Sequence, residues 1–134
     1  MTDSSRIQIT RYDPIVAVEL LCTHLLDEIV IHQIQNDITQ VVHAETPPLL
    51  VLSFAQVQYL SSMTLRMLLN LRQEITQAKG QMRLAAIRPE IRDVFTTTRL
   101  DSLFQIHPQV EDAVVKMQNW LRLMKGEAAA KPAI

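Results

Sequence analysis

"VLSFAQVQYLSSMTLRMLL", residues 51–69, contains the joint on which the fold turns. Residues 49–54 form a short unbroken apolar run, the pattern of a strand buried on both faces. After Ser61 and Ser62 a helical period takes over. Leu65, Leu68, Leu69 and the stretch 71–75 are set to pack inward, and "AKG" closes the segment at Gly80. Two adjacent hydroxyls therefore sit where a buried strand gives way to a helix, either as a cap or as a chemical switch.

Working outward, residues 7–10 and 15–21 read as strands rich in β-branched side chains, joined by a turn at Asp13-Pro14. Over 28–43 the apolar positions Val30, Ile31, Ile34, Ile38, Val41 and Val42 recur at spacings of three and four, which predicts one buried helical face. Pro47 and Pro48 end that helix. Residues 82–87 predict another strand, and Pro89 opens a short helix to about Arg99, in a first-turn position where its missing N–H costs nothing. Residues 103–106 predict a last strand. Pro108 starts a helix whose inward face is Val110, Ala113, Val114, Met117 and Leu121. Strands alternating with helices imply right-handed crossovers and a sheet with a parallel core. The tail 125–134 lacks apolar periodicity and is expected to fray.

Composition narrows the function. At 134 residues, 48% of them hydrophobic, the chain can build one compact core but not two. Thirteen basic and fourteen acidic residues give a net charge of −1, so no broad field favours nucleic acid or an anionic membrane. Recognition must rest on shape and local chemistry. The single Cys22 cannot form an internal disulfide, and neither a leader nor an apolar span of about 18 residues is present, which predicts a cytoplasmic protein without membrane insertion. Two glycines, Gly80 and Gly126, are too few for a phosphate-cradling loop.

A serine just before a helix ordinarily acts as its N-cap, the hydroxyl accepting an unpaired backbone N–H for about 0.5 to 2 kcal/mol. The same place offers free N–H groups and the positive end of the helix dipole, so a phosphate on Ser62 is compatible with the fold and adds about 1.5 to 2 negative charges that a partner can read.

The segment from "LLVLSFAQVQYLSSMTLRMLL" through "KGQMRL" to "PEIRDVFTTTRLDSLF" resembles the STAS domain, the family of bacterial anti-sigma factor antagonists and related stress-signalling and transporter-associated modules. The resemblance is specific over residues 49–115 and looser over 16–42. It implies a single α/β STAS-like domain over residues 1–124, with a mixed four- to five-stranded sheet, a parallel core and about four flanking helices. It further implies a non-enzymatic role in signal transduction and transcription regulation, with a protein partner that is an anti-sigma factor and serine kinase. The family loop reads roughly Asp-Ser-Ser/Thr-Gly-Leu-Gly, and its first serine is the one phosphorylated. Ser62 matches that serine, Ser61 replaces the aspartate, Met63 the second hydroxyl residue, and Thr64 and Arg66 the two glycines. Side chains are thus expected to project where the family leaves the surface low. The resemblance equally accommodates a constitutive scaffold subunit in which Ser62 only caps its helix.

Arg66 carries an argument of its own. Residues four apart share a helical face, and a guanidinium binds phosphate through two charge-assisted hydrogen bonds, so Arg66 is expected to clamp a phosphate on Ser62. Ser61, Ser62, Met63, Thr64 and Arg66 together form the expected switch loop.

The same sequence invites three other chemistries. Ser62, Asp93 or Asp101, and His107 follow the chain order of an α/β-hydrolase triad, but Leu60 and Thr64 are bulky where a nucleophile elbow needs small residues. His24, Asp27, Glu28 and His32 contain only one pair with metal-ligand spacing, which reads as polar surface at a helix start. Neither a metal nor a cofactor is expected. Cys22 reads as a small buried hydrophobe. Met117, Trp120, Leu121 and Met124 form a stripe whose excess could serve a homodimer contact.

Overall fold

The computed structural model describes residues 6–44 and 46–124. Two β-branched strands, β1 (Ile7–Tyr12) and β2 (Ile15–Leu20), make the expected antiparallel hairpin, with Tyr12 opposite Ile15. A two-residue strand, β3 (His24–Leu25), precedes α1 (Glu28–Val42). Asp27 caps that helix, its Oδ1 accepting the N–H groups of Ile29 at 2.8 Å and Val30 at 3.1 Å. Then come β4 (Leu49–Ser53), the two-residue β5 (Tyr59–Leu60), α2 (Ser62–Gln77), β6 (Gln81–Ala85) and α3 (Pro89–Thr97). A short 3₁₀ turn at Leu100–Ser102 leads into β7 (Gln105–His107) and α4 (Val110–Met124).

The sheet runs β1-β2-β4-β6-β7, antiparallel only at its β1 edge, and β3 pairs with β5 in a separate parallel ribbon. This is the mixed five-stranded, four-helix α/β architecture expected. Strand β4 lies at its centre and is buried throughout. Its alternation divides the core: Leu50 and Leu52 join the cluster filled by α1, α2 and α3, while Leu49 and Val51 join Ala113, Val114 and Met117 of α4 on the other face. Withdrawing each such side chain from water contributes about 1.5–3 kcal/mol, which is why so apolar a strand is placed here.

Several boundaries and faces differ from the sequence reading, each for a local reason. On α2 the buried positions are Thr64, Met67, Leu68, Leu71 and Ile75. Leu69, expected inside, is 38% exposed, and Arg72, Gln73 and Glu74 turn away from the core, because the helical period selects only one face. On α4, Val110 and Leu121 are only partly buried beside Ala113, Val114 and Met117. Strand β6 stops at Ala85 because Ala86 takes a left-handed conformation (φ 60°) and donates its N–H to the His107 carbonyl. The last strand starts at Gln105, not at 103, because Leu103 closes the 3₁₀ turn with its N–H on the Leu100 carbonyl. The tail 125–134 lies outside the described residues.

The exit from α2 explains one of the two glycines. Lys79 donates to the Thr76 carbonyl and Gly80 to the Ile75 carbonyl, a Schellman closure. The left-handed residue is Lys79 (φ 64°), not the glycine. Gly80 is required instead by close approach, since a Cβ there would lie 1.9 Å from the Pro48 carbonyl oxygen.

Candidate functional site

The joint between β5 and α2 is built from the backbone outward. Ser61 is the N-cap residue of α2, in extended conformation (φ −104°, ψ 172°), and Ser62 is the first helical residue. The reading in which Ser62 caps its helix is therefore corrected by one position. Ser61 does not cap through its side chain either: its Oγ is buried without a hydrogen-bond partner among the described residues, while its carbonyl accepts from Thr64 at 3.0 Å and Leu65 at 3.4 Å.

Thr64 overturns the expectation of a projecting side chain. It is fully buried, and its hydroxyl donates a 3.0 Å hydrogen bond to the Leu25 carbonyl, which also accepts the Ser61 N–H. A hydroxyl of that size fills the space beneath the helix start and ties it to β3. Met63 is half-buried against the main core. Only Ser62 and Arg66 of the five loop residues are exposed. Arg66 makes no hydrogen bond or ion pair among the described residues, and it lies one turn along the same helix from Ser62. No acidic residue occupies the first turn of α2, so nothing in the helix offsets its positive end. The arrangement can accept an anion attached to the Ser62 oxygen.

The residues of the other readings have different occupations. The His107 Nε2 lies 3.1 Å from the Arg83 Nη1. A guanidinium only donates, so that nitrogen must be the acceptor of a neutral ring. Burial, reinforced by the Arg83 and Lys116 charges against the opposing pull of Asp112, lowers the His107 pKa, and burial lowers that of Arg83. Neither Asp93 nor Asp101 is hydrogen-bonded to His107, so the triad order in the chain is not a triad in space. Asp27 is engaged as a helix cap, and the His24 Nδ1 lies 2.8 Å from the Thr23 hydroxyl, its ring 4.8 Å from that of Tyr59. Among the described residues no three His, Cys, Asp or Glu side chains group to hold a metal, and no helix is long and apolar enough to cross a membrane. Cys22 is partly buried against the main core. Trp120 and Leu121 pack partly against the α4 core, while Leu123 and Met124 are exposed.

One feature of this corner was not foreseen. A groove of about 730 Å³ opens at Leu60, one residue before Ser61, between the β3–β5 ribbon and the start of α3. Two-residue strands carry no periodicity, so the only trace in the sequence is the isolated aromatic Tyr59 in a polar stretch.

The STAS domain family model matches residues 6–113. The chain belongs to the STAS domain family. Among solved structures, it is similar to an anti-sigma-factor antagonist STAS domain protein from Planctomyces limnophilus, with a TM-score of 0.76 and 16% identity over 84% of this chain and 97% of that one. An anti-sigma factor antagonist from Mycobacterium paratuberculosis matches with a TM-score of 0.71 and 24% identity, covering 84% of this chain and 92% of its own. The Bacillus cell fate determinant SpoIIAA in its phosphorylated form matches with a TM-score of 0.63 and 18% identity, covering 82% and 97%. No curated protein matches by sequence. At these identities the structural likeness establishes the SpoIIAA-like STAS fold.

Proposed function

We propose that this STAS domain is a regulatory, non-enzymatic protein-binding module whose partner engages the corner at the start of α2 through the exposed Ser62 and Arg66, with Ser61, Met63 and Thr64 shaping it from beneath, and that phosphorylation of Ser62 weakens or redirects that binding. One observation carries the reading: Ser62 is the exposed first residue of α2, with the exposed Arg66, unpaired among the described residues, one turn on, in a first turn that contains no acid. A phosphate there meets the positive helix end and a guanidinium on the same face. The names of the structural neighbours, antagonists of anti-sigma factors and a phosphorylated SpoIIAA, support a bacterial cytoplasmic signalling role. The partner they suggest is an anti-sigma factor with serine kinase activity.

The test is purification with the bound partner, followed by intact-mass analysis and reassociation before and after phosphatase treatment. A mass increment of one phosphate that disappears with Ser62→Ala, together with a phosphate-dependent change in association, supports the switch. Association indifferent to phosphate makes the chain a constitutive scaffold subunit of a larger assembly.

A further inference from the structure

The two edges of the main sheet are finished differently. At one end β7 has three residues, too short a ladder to invite another strand. At the other, β1 has six, and among the described residues it pairs with β2 alone. Its register runs unbroken from Ile7 opposite Leu20 to Tyr12 opposite Ile15, so no bulge twists the edge away, and it contains no proline.

The phase of the ladder shows which groups face outward. Leu21 donates its N–H to the Arg6 carbonyl at 2.8 Å, one step beyond the pairing of Ile7 with Leu20. Bonded pairs alternate along an antiparallel ladder, so Gln8, Thr10 and Tyr12 exchange hydrogen bonds with β2, and the backbone groups of Ile7, Ile9 and Arg11 turn toward the open edge. Side chains alternate in the same rhythm. Ile7 and Ile9 join the core beneath α1, α2 and α3, where Ile9 is half-buried, while Gln8, Thr10 and Tyr12 lie on the face of α4.

This edge complements itself. Antiparallel pairing of two copies about Ile9, the middle outward residue, sets Ile9 against Ile9, Ile7 against Arg11 and Gln8 against Thr10, each pair occurring twice except the central one. Two half-buried isoleucines cover each other, the Arg11 stem lies over Ile7, and an amide meets a hydroxyl on the other face. Centring the pairing on Arg11 would place two guanidiniums opposite each other, so charge selects the register.

We infer that the chain forms a homodimer in which β1 pairs antiparallel with β1 of a second copy about Ile9, joining the two sheets into one of ten strands. Six residues a side fall short of a standard interface, so the dimer is weak, with a Kd on the order of 100 μM. The two-fold axis reverses strand direction, which puts the two α2 starts at opposite ends of the joined sheet and leaves both open to a partner.

The test is sedimentation equilibrium of the full chain from tens of micromolar to about 1 mM, with amide exchange followed by NMR over the same range. Gln8→Lys with Thr10→Lys, both at exposed positions, sets ammonium against ammonium twice and should weaken association by about tenfold or more. Gln8→Glu with Thr10→Lys sets opposite charges together and should tighten it by roughly threefold to tenfold. Melting profiles of the dilute variants should match that of the native chain. On concentration the Ile7 and Ile9 amides should exchange severalfold more slowly, with Gln8 and Thr10 between them unchanged. A monomer at the highest concentration overturns the inference, as do variants that associate like the native chain. Association that protects α4 amides instead of Ile7 and Ile9 also overturns it, since that marks a dimer through the Trp120 face.

Discussion

The Thr64 hydroxyl donates to the Leu25 carbonyl across 39 residues of chain, and this one buried hydrogen bond fastens the start of α2 to the ribbon that precedes α1. Thr64→Val keeps the volume and removes the donor. Because the Leu25 carbonyl retains the Ser61 N–H, the expected loss is near the typical net value of about 1 kcal/mol. Thr64→Ala leaves a void as well and should cost about 2 kcal/mol. Urea denaturation measures both, and hydrogen exchange should quicken at Tyr59 and Ser61 before it does in β4.

Ser61 reverses the usual expectation for an N-cap serine. Its Oγ is buried and unpaired, so Ser61→Ala removes an unsatisfied oxygen without breaking a capping bond. Stability should stay level or rise by up to about 1 kcal/mol, where an ordinary cap loss costs about that much. A fall of 1 kcal/mol or more in urea would mean that the hydroxyl caps the helix in solution.

Ser62→Asp places a negative charge in a first turn that has none, and should stabilise the domain by about 0.5 kcal/mol at low salt. Adding Arg66→Ala should remove part of this gain if the two side chains communicate along their shared face. A double-mutant cycle in low and high salt reads the coupling; a zero value would deprive Arg66 of its role toward Ser62.

His107 gives stability a pH dependence of definite sign. Its pKa is lowered in the fold, mainly by burial and then by Arg83, so the unfolded chain takes up the proton first as pH falls. Stability contributed by the neutral ring is complete above the unfolded value of about 6.5 and is lost as pH falls from there through the folded pKa. Between pH 7.5 and 5 the denaturation midpoint of the native chain should therefore drop more than that of His107→Gln, since the other histidines are common to both. Equal slopes would remove His107 from the pH response.

Most of the fold was legible because its elements are long enough to show a period. The alternation of Leu49, Leu50, Val51 and Leu52 between two cores, and the three-four spacing of Ile31, Ile34 and Ile38, leave little other choice of element. What escaped depends on tertiary neighbours. Thr64 looks like an exposed polar residue until the Leu25 carbonyl is brought over it, and Leu69 looks like a core residue until the helix is rotated against the sheet. Of the candidate site, the exposure of Ser62 and Arg66 followed from position. The burial of Thr64 and the groove at Leu60 did not, since two-residue strands are defined only by their pairing.

The division of charge along the chain has a kinetic consequence. β1 and β2 lie at one edge of the sheet and β6 and β7 at the other; residues 12–60 contain six acidic and no Lys or Arg residues, residues 61–99 contain seven basic and three acidic ones, and Arg6 and Arg11 add positive charge on the first side. A nearly neutral molecule built this way carries an electric dipole, which turns it in the field of an approaching macromolecule before the surfaces touch. Collisions become oriented rather than random, and their frequency responds to ionic strength although the total charge is close to zero.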